Sequence, residues 1–281
     1  MRKFRSQHVV EKHKRIFWVK FVFFWIFLFI LIYLISYLSK REEVGIIDIN
    51  IIGNEAVQDK DILEIINKNL EGNYLGLFSK SNVFLYPKSK IKTEISNSFL
   101  IIKELIISFN DFKSIDINIA ERKPFALYCE NTKMEFLEKE ESSQENCYFM
   151  DDKGYVYTKA MNFSDNIYFK YYEETPDFNQ NILGKTYLSK ANKNQFEKIN
   201  LFIRFLKDIN IDVYRLTIKK DGDYELVFGN NSKLLFEGKQ DFNVLLENLQ
   251  AILIDLGDIG EKEFEYIDLR FNNKIFHKFK D

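Results

Sequence analysis

The segment LIISFNDFKSIDINIAERKPFA, residues 105–126, reads as two strands joined by a turn and followed by a fixed exit. Leu105, Ile107 and Phe109 alternate, Asn110 and Asp111 mark the turn, and Ile115, Ile117 and Ile119 alternate again. A period of two puts each trio on one face of a sheet, and Asn and Asp tolerate the backbone that a hairpin turn needs. The second strand runs into Glu121-Arg122-Lys123-Pro124-Phe125-Ala126. There Glu121 and Arg122 read first as a solvated salt bridge closing the strand, worth about 0–1 kcal/mol, rather than as a partner contact.

Upstream, alternation from Val44 puts Ile47, Ile49 and Ile51 on one face and Asp48 and Asn50 on the other, before Gly53-Asn54 breaks the run. Gly53 is expected to need positive φ. Asp59 and Asp61 then load the first turn of a helix, where the positive end of the dipole favours them, and Ile62, Ile65, Ile66 and Leu70 recur at helical spacing until Gly72. Pro87 opens a second helix carrying Ile91, Ile95 and Phe99 on one side. The order over residues 44–124 is therefore β-α-α-β-β.

Further upstream, Phe21–Leu38 is eighteen residues without a charge. As a helix it spans about 27 Å, close to the hydrocarbon thickness of a bilayer. Arg2, Lys3, Arg5, Lys12, Lys14, Arg15 and Lys20 precede it against one acid, Glu11, whereas Lys40 and Arg41 beyond it are followed at once by Glu42 and Glu43. That bias predicts a cytoplasmic tail over residues 1–20, a single membrane span over 21–38 and an extracytoplasmic remainder. No small-x-small cleavage pattern follows Leu38, which argues against a removed signal peptide.

Outside the tail the chain holds 33 Lys or Arg and 41 Asp or Glu, a formal charge of −8. Such a surface is a poor match for nucleic acid or anionic lipid. Of the three histidines, His8 and His13 fall in the tail and only His277 lies beyond the span, so histidine-based hydrolytic or metal chemistry lacks its usual set. Asp151 and Asp152 are explained by a turn better than by general acid–base work. No catalytic residue, cofactor, metal or small-molecule substrate is expected.

Residues 125–281 read as a second module. Cys147 to Val156 forms two short strands about Asp151-Asp152-Lys153-Gly154, and an aperiodic acidic stretch, Glu138 to Asn146, precedes them as an exposed loop. Cys129 and Cys147 stand at the ends of that excursion. A disulfide between them would stabilise by roughly 3 kcal/mol in the loop-entropy model, the alternative being two reduced buried thiols. A helix from about Lys190 to Ile209, a three-strand meander over Tyr214 to Phe236, a helix capped by Asp241 and reaching Leu256, and two closing strands around Asn272-Asn273 complete the module.

Together these features resemble the FtsQ/DivIB family of bacterial cell-division proteins. The resemblance is carried by Ile49-x-Ile51-x-Gly53-Asn54, by Ile115-x-Ile117-x-Ile119 running into the "ER-x-P-x-A" exit Glu121 to Ala126, by the Asp-x-x-Gly hairpin, and by Tyr266-Ile267-Asp268-Leu269-Arg270-Phe271. It departs from the family at Phe112-Lys113-Ser114, where a Pro-Asn-Thr-like turn is usual, and in a longer connection from Gly72 to Tyr86. It implies an α+β protein with a transmembrane helix, a POTRA domain over 44–124 and a β domain over 125–281 built on a largely antiparallel sheet. It also implies a non-catalytic divisome scaffold in the cytoplasmic (inner) membrane at the septum, whose partners are FtsB/DivIC-like and FtsL-like single-pass proteins. If Lys274 to Phe279 ends the sheet, its free backbone groups offer an edge that another chain can extend. Tyr266, Arg270, Phe271, Ile275 and Phe276 are the expected partner contacts.

Overall fold

The computed structural model describes residues 7–130, 146–161, 167–174, 182–187, 194–256, 264–271 and 274–280. The expected loop before Asn146, the start of the helix near Lys190, the side chain of Leu256 and the turn at Asn272-Asn273 lie outside them. The chain divides into two units between Glu121 and Arg122.

The first unit opens with α1 (Gln7–Ser39), of which Arg15–Ser39 is long and apolar enough to cross a membrane. A turn of 3-10 helix at Glu42–Val44 leads to β1 (Asp48–Ile52), then α2 (Asp59–Leu70), the two-residue strands β2 (Asn73–Tyr74) and β3 (Phe78–Ser79), α3 (Lys88–Ser98), β4 (Ile102–Phe109) and β5 (Ser114–Glu121). The sheet order is β1-β5-β4, with β1 parallel and β4 antiparallel to β5. Ile62, Ile66 and Leu70 of α2 and Ile91 and Ile95 of α3 meet Leu105, Ile107, Ile115, Ile117 and Ile119 in one core. The spacings of two and four that marked these residues in the sequence thus converge on one apolar interior.

Two local expectations change. Ile47 does not share the inner face with Ile49 and Ile51, but is exposed. The cause is backbone pairing: Ile47 N–H and Asp48 N–H both donate to Lys113 O, at 2.8 and 3.1 Å, and this doubled contact turns Ile47 outward just before the ladder begins. Nor do Glu121 and Arg122 pair with each other. Neighbouring strand side chains project to opposite faces, and Glu121 instead accepts the backbone N–H groups of Glu55, Ala56 and Val57 at 2.9–3.1 Å, closing the loop after β1.

The second unit contains β6 (Ala126–Glu130), β7 (Cys147–Met150), β8 (Val156–Lys159), β9 (Lys170–Glu173), α4 (Asn194–Asp208), β10 (Val213–Ile218), β11 (Tyr224–Phe228), β12 (Lys233–Phe236), α5 (Phe242–Leu256), β13 (Phe264–Phe271) and β14 (Lys274–Phe279). Its nine described strands form one mixed sheet in the order β14-β13-β12-β11-β10-β9-β6-β7-β8. Phe196, Ile199, Phe202, Ile203 and Leu206 of α4 and Leu245, Leu249 and Ile252 of α5 pack on the same sheet face, against Leu216, Leu226, Leu234, Ile267 and Leu269. Asp241 caps α5, its carboxylate accepting Asn243 N–H at 2.9 Å. The protein is thus an α+β chain with an apolar N-terminal helix, two layers in its second unit and a three-stranded sheet in its first.

The sequence pattern missed β9, which lies between β6 and β10 and runs parallel to both. Four residues flanked by charge are too short to show alternation. Their burial comes from neighbours: Tyr171 enters the helix-side core, and its hydroxyl donates to Asn200 Oδ1 at 2.6 Å.

Cys129 and Cys147 face each other across β6 and β7 and are joined by a disulfide, with their Cα atoms 4.1 Å apart. They sit on the sheet face away from the helices, with Leu127, Ala160 and Tyr172. Replacing both with serine is expected to lower the stability of this unit by about 3 kcal/mol, since the unfolded loop is then unconstrained. The check is the urea midpoint with and without the substitutions, and an unchanged midpoint contradicts the expectation.

Candidate functional site

The string from Tyr266 to Phe271 forms most of β13. Ile267 and Leu269 point into the helix-side core, whereas Asp268 is buried on the other face. Cross-strand register aligns Thr217, Glu225, Leu235, Asp268 and Phe276 in one row across the face away from α4 and α5. That row begins polar and ends on an aromatic ring at the sheet margin.

Arg270 is held in place by two carboxylates. Its Nε and Nη2 donate to Asp268 Oδ1 and Oδ2 at 2.9 and 2.6 Å, and its Nη1 donates to Asp223 Oδ2 at 3.3 Å. Burial alone would lift the Asp268 carboxyl, but the hydrogen bonds and charge of Arg270 outweigh it and leave the group below the usual carboxylate range. The same bonds from Asp268 raise the Arg270 guanidinium still further. Because the folded Asp268 titrates below its unfolded value, its contribution is present above that unfolded value and is lost as pH falls through the folded one. Arg270 therefore acts here as a fixed part of the strand surface.

Phe271 and Phe276 are 50% and 48% exposed and meet edge to face, with ring centroids 5.2 Å apart. Such a pair makes a rigid apolar projection. Ile275 packs against the core and Tyr266 is half-buried, so these two expected contacts lie deeper than the two rings. On the opposite, helix-side face of β14, two residues outside the expected set pack together: Phe279 stacks on the buried Phe264 at 4.7 Å and meets His277 edge to face at 5.3 Å. Their spacing along Lys274–Phe279 was visible in the sequence, but the packing of Phe279 on Phe264 was not.

The two sheet margins differ. At one end, Val156 of β8 exchanges backbone hydrogen bonds with the 182–187 segment, donating to Lys185 O at 2.9 Å and accepting from Gly184 N–H at 2.8 Å. At the other end β14 has β13 as its single partner among the described strands, with six residues along its outer side. An uncovered strand of this length can receive another chain in extended form, its main chain supplying hydrogen bonds while neighbouring rings select side chains.

The Asp151 hairpin is built differently, as an interior clamp. Asp151 is 1% exposed, and its Oδ1 accepts Lys153 and Tyr155 N–H, each at 2.9 Å. Its Oδ2 is paired with Arg122, whose guanidinium lies 3.9 Å from the centre of the Tyr155 ring. Every Asp151 oxygen is thus committed to holding the turn. Among the described residues, no group of three or more His, Cys, Asp or Glu could hold a metal ion.

What these features define is a chain with a membrane-length helix and two α/β units, the second carrying an aromatic-flanked strand with one strand partner among the described residues. It matches no protein-family model and no curated protein.

Proposed function

We propose that this protein is a non-catalytic division scaffold of the FtsQ/DivIB kind, anchored in the cytoplasmic membrane with its N-terminus inside. Its first unit corresponds on this reading to a POTRA domain and its second to the family's β domain. Supporting the former are the succession of β1, α2, α3, β4 and β5, with only the two-residue strands β2 and β3 set between the helices, and the sheet order β1-β5-β4. The observation that carries the functional reading is β14, which has β13 as its single strand partner among the described residues, with Phe271 and Phe276 exposed. FtsB/DivIC-like and FtsL-like single-pass proteins, tethered in the same membrane, dock there and link early to late septal components.

Depleting the protein from its host is the test. Filamentous, unseptated cells and a fluorescent fusion concentrated at midcell are expected. Normal septation after depletion, with the fusion spread around the envelope, overturns the proposal.

A further inference from the structure

The connection between Gly72 and Tyr86 contains a hairpin whose exposed tip is apolar. Its turn is Leu75-Gly76, both in left-handed backbone at φ 50° and 72°. Leu75 is 93% exposed, and Tyr74 and Leu77 are exposed beside it. Leucine is an unusual choice for such a turn, where Asn or Gly fits with less strain and better solvation.

The same hairpin is fastened to the C-terminal end of α1. Ser36 Oγ donates to Leu77 O at 2.7 Å, Lys40 Nζ donates to Gly76 O at 3.3 Å, and Ser39 Oγ accepts Ser79 N–H at 3.4 Å. Ser36 lies within the apolar run, two residues before Leu38, or about 3 Å inside its end at the helical rise. Whatever depth the last turn of α1 reaches, the hairpin reaches beside it.

We propose that β2–β3 enters the headgroup–acyl boundary of the leaflet at the C-terminal end of α1, giving the first unit a second, shallow attachment to the lipid. This rests on α1 crossing that membrane. Three features fit a lipid occupant. The apolar tip is held beside the last turn of α1 by Ser36 and Lys40, so a partner placed there would itself stand at the depth of that turn. Three of the hairpin's carbonyls are already satisfied: Gly76 O by Lys40, Leu77 O by Ser36, and Tyr74 O by Leu77 N–H at 2.9 Å, which lowers the cost of immersing them. Finally, Tyr74 and Tyr37 carry Lys80 and Arg41 over their rings at 5.9 and 5.1 Å, the pairing of aromatic body with cationic head that suits a membrane interface.

The chain has two tryptophans, Trp18 and Trp25, both in α1, so single-tryptophan reporters follow directly. The full chain is reconstituted in vesicles of phosphatidylcholine and phosphatidylglycerol, with and without brominated phosphatidylcholine as quencher. In a Trp18→Phe, Trp25→Phe background, a Leu75→Trp reporter should emit to the blue and lose roughly half its emission, as for a side chain 5–10 Å into the boundary. A Lys60→Trp reporter, placed near the far end of α2 about 15 Å along that helix from Leu70, should keep its emission. Trp25 alone, in Trp18→Phe, reports on the anchor. If Trp25 is quenched while Leu75→Trp is not, the hairpin proposal falls and the anchor stands. If neither is quenched, the anchor reading falls with it. Equal quenching of the Leu75→Trp and Lys60→Trp reporters also overturns the proposal, by showing adsorption of the whole unit. Tyr74→Trp, an aromatic exchange at the neighbouring position, repeats the test should Leu75→Trp fail to fold.

Discussion

Asp151→Asn is expected to destabilise the second unit by about 3–5 kcal/mol, the cost of breaking a buried ion pair from one side. The asparagine keeps the shape of the turn and can still accept Lys153 and Tyr155 N–H through its carbonyl. It cannot balance Arg122, whose side chain is largely buried against the Tyr155 ring. Arg122→Ala should cost a similar amount for the converse reason, leaving a carboxylate that is 1% exposed without its guanidinium. The check is urea unfolding followed by near-ultraviolet circular dichroism, where Tyr171, Tyr187 and Tyr224 of the buried core report on this unit. A loss under about 1 kcal/mol for both variants would place the pair among ordinary surface bridges.

Gly53→Val is the second large effect, and it acts on the first unit. Gly53 has φ 90°, a backbone that side-chain-bearing residues adopt at a cost of about 1–3 kcal/mol. A Cβ there would also stand 2.2 Å from Ile119 O, a backbone atom of the central strand that cannot step aside without disturbing β5. Forcing such a contact adds another 1–3 kcal/mol or so, giving a total of about 2–6 kcal/mol. Faster amide exchange across Ile115, Ile117 and Ile119 should accompany the loss. Wild-type exchange in β5 would show that the close approach is not needed.

Most of what the sequence makes legible is periodic. Leu105 and Ile107 of β4, the apolar trio of β5, the four-residue spacing of Ile62, Ile66 and Leu70, and the faces of α4 and α5 all lie where they do because each element hides one side against the rest. Phe109, which shares the period of β4, is instead 52% exposed at its end and meets Phe84 and Phe112 rather than the core. Where the period fails, the reading fails too. Ile47 sits in register by spacing alone, yet a doubled backbone contact to Lys113 turns it out. β9 is too short to show a pattern, and β2–β3, two residues on each side, left no periodic trace.

The same limit governs the candidate site. Lys274–Phe279 is readable as a strand, but its place at the margin depends on chain crossings far away in sequence. These include the parallel pairing of β12 with β13 and the covering of β8 by the 182–187 segment. The Glu121-Arg122 pair shows the point in miniature. Adjacent opposite charges suggest a bond between neighbours, whereas strand geometry sends Glu121 to the loop of one unit and Arg122 to the hairpin of the next.

The central claim is that β14 receives a division partner, and Phe276→Glu tests it most directly. Phe276 is half exposed and contributes to no buried core, so its replacement should leave the urea midpoint within about 0.5 kcal/mol of wild type. The measurement is co-purification of the FtsB/DivIC-like partner from host membranes with the full chain, wild type against Phe276→Glu. The docking reading predicts that the wild type retains the partner and the folded variant loses it. A folded Phe276→Glu chain that retains the partner at wild-type yield would contradict it.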